Sequence, residues 1–440
     1  MATEVLIIGA GAAGLAAARD LSSAGLTVLV VEARSRIGGR ILTHHDTTDS
    51  LPIELGAEFI HGKSPELFSI VDKAGLRFEE MASRHWYFEN GRLAKSPEFW
   101  STVEQMMSEM KGEVRDQSFK EFLESKNFPA RANAIASRYV EGFDAAQLDK
   151  VGIHGLTEEN EASNLIDGER AFRLLDGYDG VANALMNEAR GHGAELRLNT
   201  TVTELRWSNN KVEVPCTTTV DAPLTAHKAL ITIPLAVLKL EHEQGSIKFV
   251  PGLPHWKLDA IRSLEMGAAL RIVLRFTRRF WEDLEIPGAE REDQKQLGFI
   301  HYPDAPIPTW WTTLPEREPI LVGWAGGPTA QRLLSLSDTE IESRALGSLS
   351  IIFGINKDLL RTFVTQSYFH NWQQDHLSRG VYSYPTVNGM EHQLNLAKPV
   401  DGTVFFAGEA TSLGHFGTVH GAIESGMRAA REILTATPRR

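Results

Sequence analysis

The sequence predicts an α/β fold of mixed α+β type: a discontinuous Rossmann-like dinucleotide domain with an inserted substrate-binding domain, a mixed sheet flanked by helices. A β-branched run, a glycine-rich turn and an alanine-rich helix follow one another between Val5 and Val31. Glycine-rich segments of similar character return near residues 191–207 and 404–426. The blocks between these segments differ in composition, which favours one domain interrupted twice by another.

The predicted division follows those changes in composition. We expect 1–84, 191–265 and 385–440 to form the dinucleotide-binding domain, and 85–190 and 266–384 to form the substrate-binding domain. Because 440 residues exceed the usual size of one compact core, two domains are the default. The first inserted block is helical in pattern and rich in charge, and the second mixes strand-like runs with one helix.

The opening unit has the spacing of a strand, a phosphate-binding turn and a helix. Val5–Ile8 is typical of a buried parallel strand, and "GAGAAG" follows it at once. Gly9 makes the tight turn, Gly11 lets a pyrophosphate approach the backbone, and Gly14 lets the helix pack closely on the strand. The helix N-terminus then directs free N–H groups at the phosphates. Glu32, which ends the second strand, is placed to accept hydrogen bonds from ribose hydroxyls.

Later elements follow from local patterns. "NNKVEV" predicts a hairpin turn at Asn209 and Asn210, and His227–Leu238 reads as a buried strand broken by Pro234. "ALRIVLRF" and "PILVGWAGG" predict strands, and a helix is expected near Asp338–Phe353. "TVFFAG" predicts a strand, and the residues after it predict a loop and a final helix.

Composition and charge exclude several classes of protein. A hydrophobic content of 42% and a charged content of 23% are those of a soluble globular protein, and no apolar run is long enough to span a bilayer. The net charge of −12 disfavours nucleic acid as a partner, because phosphate binding needs basic surface. The apolar start lacks the basic leading segment of a signal peptide, so we expect a cytoplasmic protein without a membrane partner. One cysteine, Cys216, allows neither an internal disulfide nor a thiolate metal cluster, and His44 and His45 alternate in direction, so no metal site is expected.

A second glycine pair narrows the choice of dinucleotide. "GGR" ends at Arg40, six residues after Arg34 in "VVEAR", where an ordinary NAD domain would enter its next helix. Backbone glycines and an arginine at this place extend the phosphate-binding surface toward a longer cofactor. The pattern resembles the FAD-binding signature of the flavin amine oxidases and related flavoproteins with two dinucleotide-binding domains, so the expected ligand is FAD.

Four blocks match one family in order. They are "GAGAAGL…VVEAR…GGR", "LGAEFIHG", "TIPLAVLK" and "FFAGEAT…GTVHGAIESG". The chain resembles the flavin monoamine and polyamine oxidases, including the catalytic domain of lysine-specific histone demethylases, over essentially its whole length. The long helical insertion and added helical domain of the demethylases are not visible in this sequence, so histone demethylation is not expected.

The resemblance implies where the cofactor binds. Glu32, Arg34 and Arg40 resemble contacts to adenosine and pyrophosphate, and the N-terminus of the last helix would face the N1–C2=O edge of the flavin and stabilise its negative charge. The expected cofactor-binding residues are Gly9, Gly11, Ala13, Gly14, Glu32, Ala33, Arg34, Gly39, Arg40, Gly56, Ala57, Glu58, Val202, Thr232, Pro234, Trp372, Gly408, Glu409, Thr418 and Val419.

The resemblance also implies a substrate slot against the flavin. In "NWQQDHLSRGVYSYP", Trp372 would back the flavin and Tyr382 would form one wall of the slot. Thr418 stands where monoamine oxidases carry a second tyrosine, so we expect a wider pocket. His61 falls where related oxidases carry a glutamate or a histidine; it either hydrogen-bonds the substrate nitrogen or is a loop residue held by backbone. Three tryptophans either line the pocket or belong to the core: Trp310, Trp311 and Trp324.

Two departures from the family pattern affect the chemistry. Arg271 in "MGAALRIVLRF" stands where the family usually has a lysine that is water-bridged to flavin N5, which puts fast reaction with oxygen in doubt. Val381 lies at or near the position of the cysteine that tethers the flavin in monoamine oxidases. We therefore expect FAD to be bound without a covalent link. The expected catalytic residues are Arg271, Tyr382, Thr418 and His61.

The leading hypothesis is an FAD-dependent amine oxidase that converts a polyamine or another alkylamine to an imine and passes electrons to oxygen as hydrogen peroxide. The partners are then the small amine and oxygen, and the protein is a monomer or homodimer. An L-amino-acid oxidase is the alternative, although Glu58 stands where those enzymes carry an arginine, and Arg84 or Arg271 would have to replace it. A desaturase-type enzyme and a flavoprotein with little turnover stay open as further alternatives.

Overall fold

The computed structural model describes residues 3–46, 51–95, 98–215, 223–241 and 243–437. Cys216 lies outside these residues. The strands of the described part are β1 (Thr3–Ile8), β2 (Val28–Val31), β3 (Thr43–His44), β4 (Ile53–Glu54), β5 (Phe59–His61), β6 (Phe78–Glu80), β7 (His85–Glu89), β8 (Arg92–Ala94), β9 (Ala171–Leu174), β10 (Glu195–Arg197), β11 (Glu204–Ser208), β12 (Lys211–Val214), β13 (Leu224–Ile231), β14 (Lys248–Val250), β15 (Glu265–Met266), β16 (Ala269–Phe276), β17 (Phe299–His301), β18 (Thr309–Thr312), β19 (Ile320–Gly326), β20 (Val364–Phe369), β21 (Ser383–Tyr384) and β22 (Val404–Phe406).

The helices lie between these strands, in two places as runs of three or more. In chain order they are α1 (Ala12–Ser23), α2 (Pro65–Ala74), α3 (Glu98–Lys111), α4 (Phe119–Ser125), α5 (Ala130–Phe143), α6 (Ile153–Asn164), α7 (Asp179–Gly191), α8 (Leu235–Leu238), α9 (His255–Ser263), α10 (Arg291–Gln294), α11 (Gly327–Leu333), α12 (Asp338–Phe353), α13 (Lys357–Phe363), α14 (Gly389–Ala397) and α15 (Val419–Thr435). In the residues described above, no helix is long and apolar enough to cross a bilayer.

The first sheet has the strand order β10–β2–β1–β13–β12–β11–β14, with β22 also paired to β13. Its central strands β10, β2, β1, β13 and β22 pair in parallel, whereas β12 pairs antiparallel with both neighbours. Helices α1, α2, α7 and α15 share one apolar core with one face of this sheet. Strands β2 and β22 are fully buried and β1 is buried from Val5 to Ile8, as expected at the centre of a sheet covered on both faces.

The second sheet has the order β20–β16–β19–β18–β17–β7–β8 and is antiparallel except between β17 and β7. Helices α11 and α12 pack against it around a core that contains Trp281 and Trp310. A three-stranded sheet, β5–β9–β6, forms a separate small unit. The predicted fold class, a Rossmann-like sheet combined with a mixed sheet flanked by helices, is confirmed.

Two local differences separate the structure from the sequence expectations. The predicted strand His227–Leu238 ends at Ile231, and the residues from Leu235 to Leu238 form the helical turn α8, since Pro234 is compatible with a helix start but not with a central strand. Helix α7, which the division placed in the inserted block 85–190, packs on α1 in the first core. The division into two domains stays a prediction, and this packing favours a boundary before β9.

Candidate functional site

The first glycine turn places the N-terminus of helix α1 at the wall of a cavity. Strand β1 ends at Ile8, and Gly9 takes a φ of +108°, which only glycine adopts without strain. Gly11 caps α1 without a side-chain hydrogen bond, and no acidic residue lies in the first turn. A Cβ atom at Gly11 would meet no other heavy atom within 4 Å, whereas one at Gly14 would lie 2.1 Å from the Gly9 carbonyl oxygen. The turn therefore leaves open space at Gly11, and Gly14 is needed for close packing.

The carboxylate of Glu32 is held at the end of β2. One oxygen accepts a hydrogen bond from the Ala10 N–H at 2.8 Å, and the other accepts one from the Arg34 N–H at 2.9 Å. The Arg34 guanidinium donates to both oxygens of Asp375, at 2.9 and 2.8 Å. Burial alone would raise the pKa of Asp375, but hydrogen bonds from His370 and Arg34 lower it well below its ordinary value. The charge of Arg34 is thus already paired within the protein.

A second charge pair joins three distant segments. Arg40 donates to the Val381 carbonyl oxygen at 2.7 Å and to Glu409 at 2.9 Å. The second oxygen of Glu409 accepts from the Ser383 hydroxyl at 2.6 Å and from the Gly417 N–H at 3.0 Å. Glu409 is buried, so its charge is matched by one arginine and by several donors. This carboxylate therefore organises the loop before α15.

Helix α15 begins in the cavity wall. Thr418 is its N-cap and accepts a hydrogen bond from the Gly421 N–H at 3.0 Å, while its hydroxyl donates to the His415 carbonyl at 2.7 Å. The first turn carries no acidic side chain. The N-terminal end of the helix, including Val419, faces the cavity and offers partial positive charge to a negatively charged group.

A buried ion network lies beside this wall. Glu58 accepts from Arg173 at 2.5 Å, pairs closely with Arg271, and accepts from the Trp311 indole N–H at 3.3 Å. Arg271 also donates to the Gly56 carbonyl oxygen at 2.6 Å. Burial alone would raise the pKa of Glu58, but the charges of the two arginines outweigh it, so this pKa is lowered. Two guanidiniums share one carboxylate, which leaves one excess positive charge at the site.

The residues expected at the substrate slot lie near one another. The Tyr382 hydroxyl donates to the Phe143 carbonyl oxygen at 2.5 Å, and the His61 ring meets the Phe143 ring edge-on at 5.5 Å. Burial lowers the pKa of His61 to about 4, so its imidazole is neutral near pH 7. Trp372 is buried and donates its indole N–H to the Leu55 carbonyl at 2.8 Å. These contacts fix the rings that surround the slot.

One cavity of about 1950 Å³ joins these features. Every residue expected from the sequence lines it except Gly14, which packs behind the turn. Trp311 and Trp324 also line the cavity, whereas Trp310 is buried in the second core and donates to the Ile307 carbonyl. Since β18 alternates its side chains between two faces, the neighbouring tryptophans point in opposite directions. The predicted residues that line it are Gly9, Gly11, Ala13, Glu32, Ala33, Arg34, Gly39, Arg40, Gly56, Ala57, Glu58, His61, Val202, Thr232, Pro234, Arg271, Trp372, Tyr382, Gly408, Glu409, Thr418 and Val419.

The cavity also contains residues that sequence reasoning missed. Asp144 and Glu159 are acidic residues of the helical block, and their spacing in the sequence gives no sign that they face a cavity. A pair of stacked histidines, His85 and His301, joins neighbouring strands through a 2.9 Å hydrogen bond, and burial lowers the pKa of His85 to about 4. Only the parallel pairing of β7 with β17 brings these two rings together. No cluster of three metal-ligating side chains occurs in the described ranges.

Comparison with known proteins agrees with this geometry. The chain matches the family described as flavin containing amine oxidoreductase over residues 12–434. It is 30% identical to polyamine oxidase 3 of Oryza sativa subsp. japonica, over 98% of this chain and 88% of that protein. It is also 30% identical to lysine-specific histone demethylase 1 homolog 1 of Arabidopsis thaliana, over 99% of this chain and 53% of that protein.

Solved structures share the fold. Putrescine oxidase bound to putrescine superposes with a TM-score of 0.81 at 21% identity, over 99% of each chain. Cyclohexylamine oxidase from Brevibacterium oxydans IH-35A superposes with a TM-score of 0.82 at 20% identity, again over 99% of each chain. At these identities the likeness concerns the fold alone.

Proposed function

The chain belongs to the flavin-containing amine oxidoreductase family and is an FAD-dependent amine oxidase, and we propose that it oxidises a polyamine or another alkylamine. The carbon next to the nitrogen loses a hydrogen together with its electron pair, and the nitrogen loses a proton, which gives an imine. Water converts the imine to an aldehyde, and the nitrogen leaves as ammonia from a primary amine or as a shorter amine from a secondary one. Oxygen takes up the two electrons and two protons as hydrogen peroxide.

The observation that carries this proposal is the continuity of the cavity. It runs from the glycine turn at Gly11, past Arg271, to the slot between Tyr382, His61 and the start of α15. A dinucleotide needs an open helix N-terminus at one end, and an amine needs an apolar, aromatic slot at the other. Both requirements are met in one connected space.

The residues present fit FAD. The uncapped N-terminus of α1 and the open space at Gly11 would receive the pyrophosphate, and Glu32 would receive the ribose hydroxyls. The N-terminus of α15 would face the part of the flavin that gains negative charge on reduction. FAD, when bound, supplies the acceptor for the electron pair. The protein orients the amine against it.

The slot favours a neutral reacting nitrogen. A neutral His61 imidazole hydrogen-bonds an amine without repelling it, and its low pKa keeps it unprotonated near neutral pH. Burial raises the pKa of Tyr382 well above its ordinary value, so its phenol stays neutral and serves as a wall. Arg271 lines the cavity, and its contacts with Glu58 and two carbonyl groups fix its guanidinium and the loop at Gly56. We assign it the place that the family lysine would take near flavin N5.

The amino-acid oxidase alternative finds less support in this cavity. Arg84 is not among the residues that line it, and Arg271 already pairs with Glu58. A substrate carboxylate would therefore have to displace a buried internal partner, which costs several kcal/mol, on the order of 3–5. An amine needs no such exchange.

The test is anaerobic reduction of the purified flavoprotein. We expect absorbance loss of oxidised FAD with butylamine, 1,4-diaminobutane or spermidine, and none with L-leucine or with buffer. Peroxide should then form on admission of air. Reduction by L-leucine alone would replace the proposal with amino-acid oxidation, and reduction by none of the compounds would favour a flavoprotein with little turnover.

A further inference from the structure

Asp144 is a buried carboxylate with no ion pair or hydrogen bond to its side chain among the described residues. It follows α5 directly, is 5% exposed and lines the cavity. Its Oδ2 atom is buried and has no hydrogen-bond partner in the described part of the chain. Burial of an ionised carboxylate without compensation is expensive, so this group is protonated or awaits a cation. Its pKa agrees with this, because burial raises it to about 8.

A second carboxylate lies close to the first. Glu159, on α6, also lines the cavity, and burial together with the charge of Asp144 raises its pKa well above its ordinary value. Tyr139 and Tyr382 line the same cavity, and burial together with the charges of both carboxylates raises the pKa of each phenol well above its ordinary value. The Tyr382 hydroxyl is hydrogen-bonded to Phe143, the residue that precedes Asp144.

Two cations that line the same cavity already have other partners. Lys111 pairs with Glu161 at 2.7 Å, and Arg138 pairs with Asp304 at 3.1 Å. Within the described ranges, no ion pair is formed by Asp144 or by Glu159. Among the described residues the pair therefore has no paired cation, and a cation that enters the cavity would favour its ionised form.

We infer that Asp144 and Glu159 bind the second ammonium group of a diamine or polyamine whose other nitrogen is oxidised beside Tyr382. An ammonium group has three donors and one positive charge, which suits two carboxylates with free acceptor positions. The methylene chain would lie along the rings of Phe143 and Tyr139, which stack at 5.4 Å. This inference rests on the proposed amine oxidation and names its substrate class: amines with a second positive charge.

The same pair selects against other amines. A monoamine of equal length would leave the two carboxylates without a counter-charge and would gain nothing from them. The carboxylate of an amino acid would be repelled by the ionised pair. The site therefore distinguishes 1,4-diaminobutane from butylamine. The two compounds have the same four-carbon chain, and only 1,4-diaminobutane has a second nitrogen.

The experiment compares kcat/KM for 1,4-diaminobutane with kcat/KM for butylamine. We expect Asp144→Asn and Glu159→Gln to lower this ratio about ten-fold to a hundred-fold, mainly through KM, since each removes a charged hydrogen-bond acceptor. Glu158→Gln is the matched control: it removes the same charge from the neighbouring position of α6, which is not among the residues lining the cavity, and should leave the ratio unchanged.

Three outcomes separate the explanations. An unchanged ratio in both variants, with both amines still oxidised, overturns the inference and leaves the proposed function in place. An equal loss in Glu158→Gln shows a general effect of charge and also overturns it. If neither amine is oxidised by the wild type, thermal stabilisation of the FAD-loaded protein by the two amines decides: stabilisation by 1,4-diaminobutane that both variants lose supports the subsite, and its absence in the wild type refutes it.

Discussion

Glu58→Gln removes the carboxylate that two buried guanidiniums share. The side chains of Glu58, Arg173 and Arg271 are each less than a tenth exposed, and the glutamine keeps the shape while it removes the charge. Breaking a buried ion pair from one side costs about 3–5 kcal/mol, because the remaining charges stay buried without compensation. Here two such charges remain, so we expect a loss in the free energy of unfolding at or above the upper end of that range.

This loss converts into a measurable shift in the unfolding temperature. With an unfolding entropy of about 2.1 cal/mol/K per residue, 440 residues give roughly 0.9 kcal/mol/K, so a loss of about 5 kcal/mol or more lowers the transition of the whole chain by about 5 °C or more. The assay is calorimetry of the apoprotein, which removes any contribution from cofactor affinity. Glu80→Gln is the control: Glu80 pairs with Arg170 at 2.6 Å at the surface, and its loss should shift the transition by less than about 1 °C.

The pH dependence of the unfolding temperature tests the same buried network. The pKa of Glu58 is lowered in the folded protein, so its ionised form stabilises the fold above the ordinary carboxyl pKa, and this stabilisation is lost as pH falls through the folded-state value. The difference between wild type and Glu58→Gln should therefore shrink below about pH 4. A Glu58→Gln protein that unfolds within 1 °C of the wild type at pH 7, or that matches Glu80→Gln, would refute the reasoning about the buried network.

Three further predictions concern the cofactor, oxygen and the carboxylate pair. Gly11→Ala should fold normally as the apoprotein but bind FAD at least about ten-fold more weakly. Gly14→Ala should instead lower the apoprotein's unfolding temperature, because the Cβ at position 14, unlike that at position 11, would lie 2.1 Å from a backbone carbonyl oxygen. Equal FAD affinities of Gly11→Ala and wild type in an equilibrium titration would contradict this prediction. Arg271→Lys should speed reoxidation by oxygen more than reduction by amine in stopped-flow traces; equal effects, or none, would show that residue 271 does not act at N5. Between pH 7 and 9 the ratio of kcat/KM for 1,4-diaminobutane to kcat/KM for butylamine should rise, because Asp144, whose pKa is about 8, becomes ionised over this range. The other titratable groups of this part of the cavity are Glu159, Tyr139 and Tyr382, and burial raises the pKa values of the two tyrosines well above their ordinary value. A ratio that does not change with pH would contradict a role for the ionised Asp144 carboxylate.

Local signals predicted the elements that are encoded by neighbouring residues. The helix expected at Asp338–Phe353 is α12 with the same bounds, because Ser337 forms a capping box with Glu340 and Gly354 ends the helix in the left-handed conformation. The hairpin turn at Asn209 and Asn210 joins β11 to β12 as predicted. These features depend on contacts between residues a few positions apart.

Pairings between residues far apart in the chain could not be predicted from the sequence. No local pattern indicates that Arg34 and Arg40 pair with Asp375 and Glu409, which are 341 and 369 positions away. Asp144 was missed for a related reason: an acidic residue in a charged helical block has the pattern of a solvated face, and only tertiary packing turns it toward a cavity.

The first sheet has a consequence for biosynthesis. Strand β13 lies between β1 and β22, and α15 packs on α1, so the earliest and latest segments of the chain meet in one core. A ribosome that adds 5–20 residues per second needs roughly 20–80 s to pass from β1 to β22. During that interval β1 has no completed sheet, whereas β16, β19 and β20 of the second sheet emerge close together. The core that carries the first glycine turn is therefore complete only after β22 and α15 have left the ribosome.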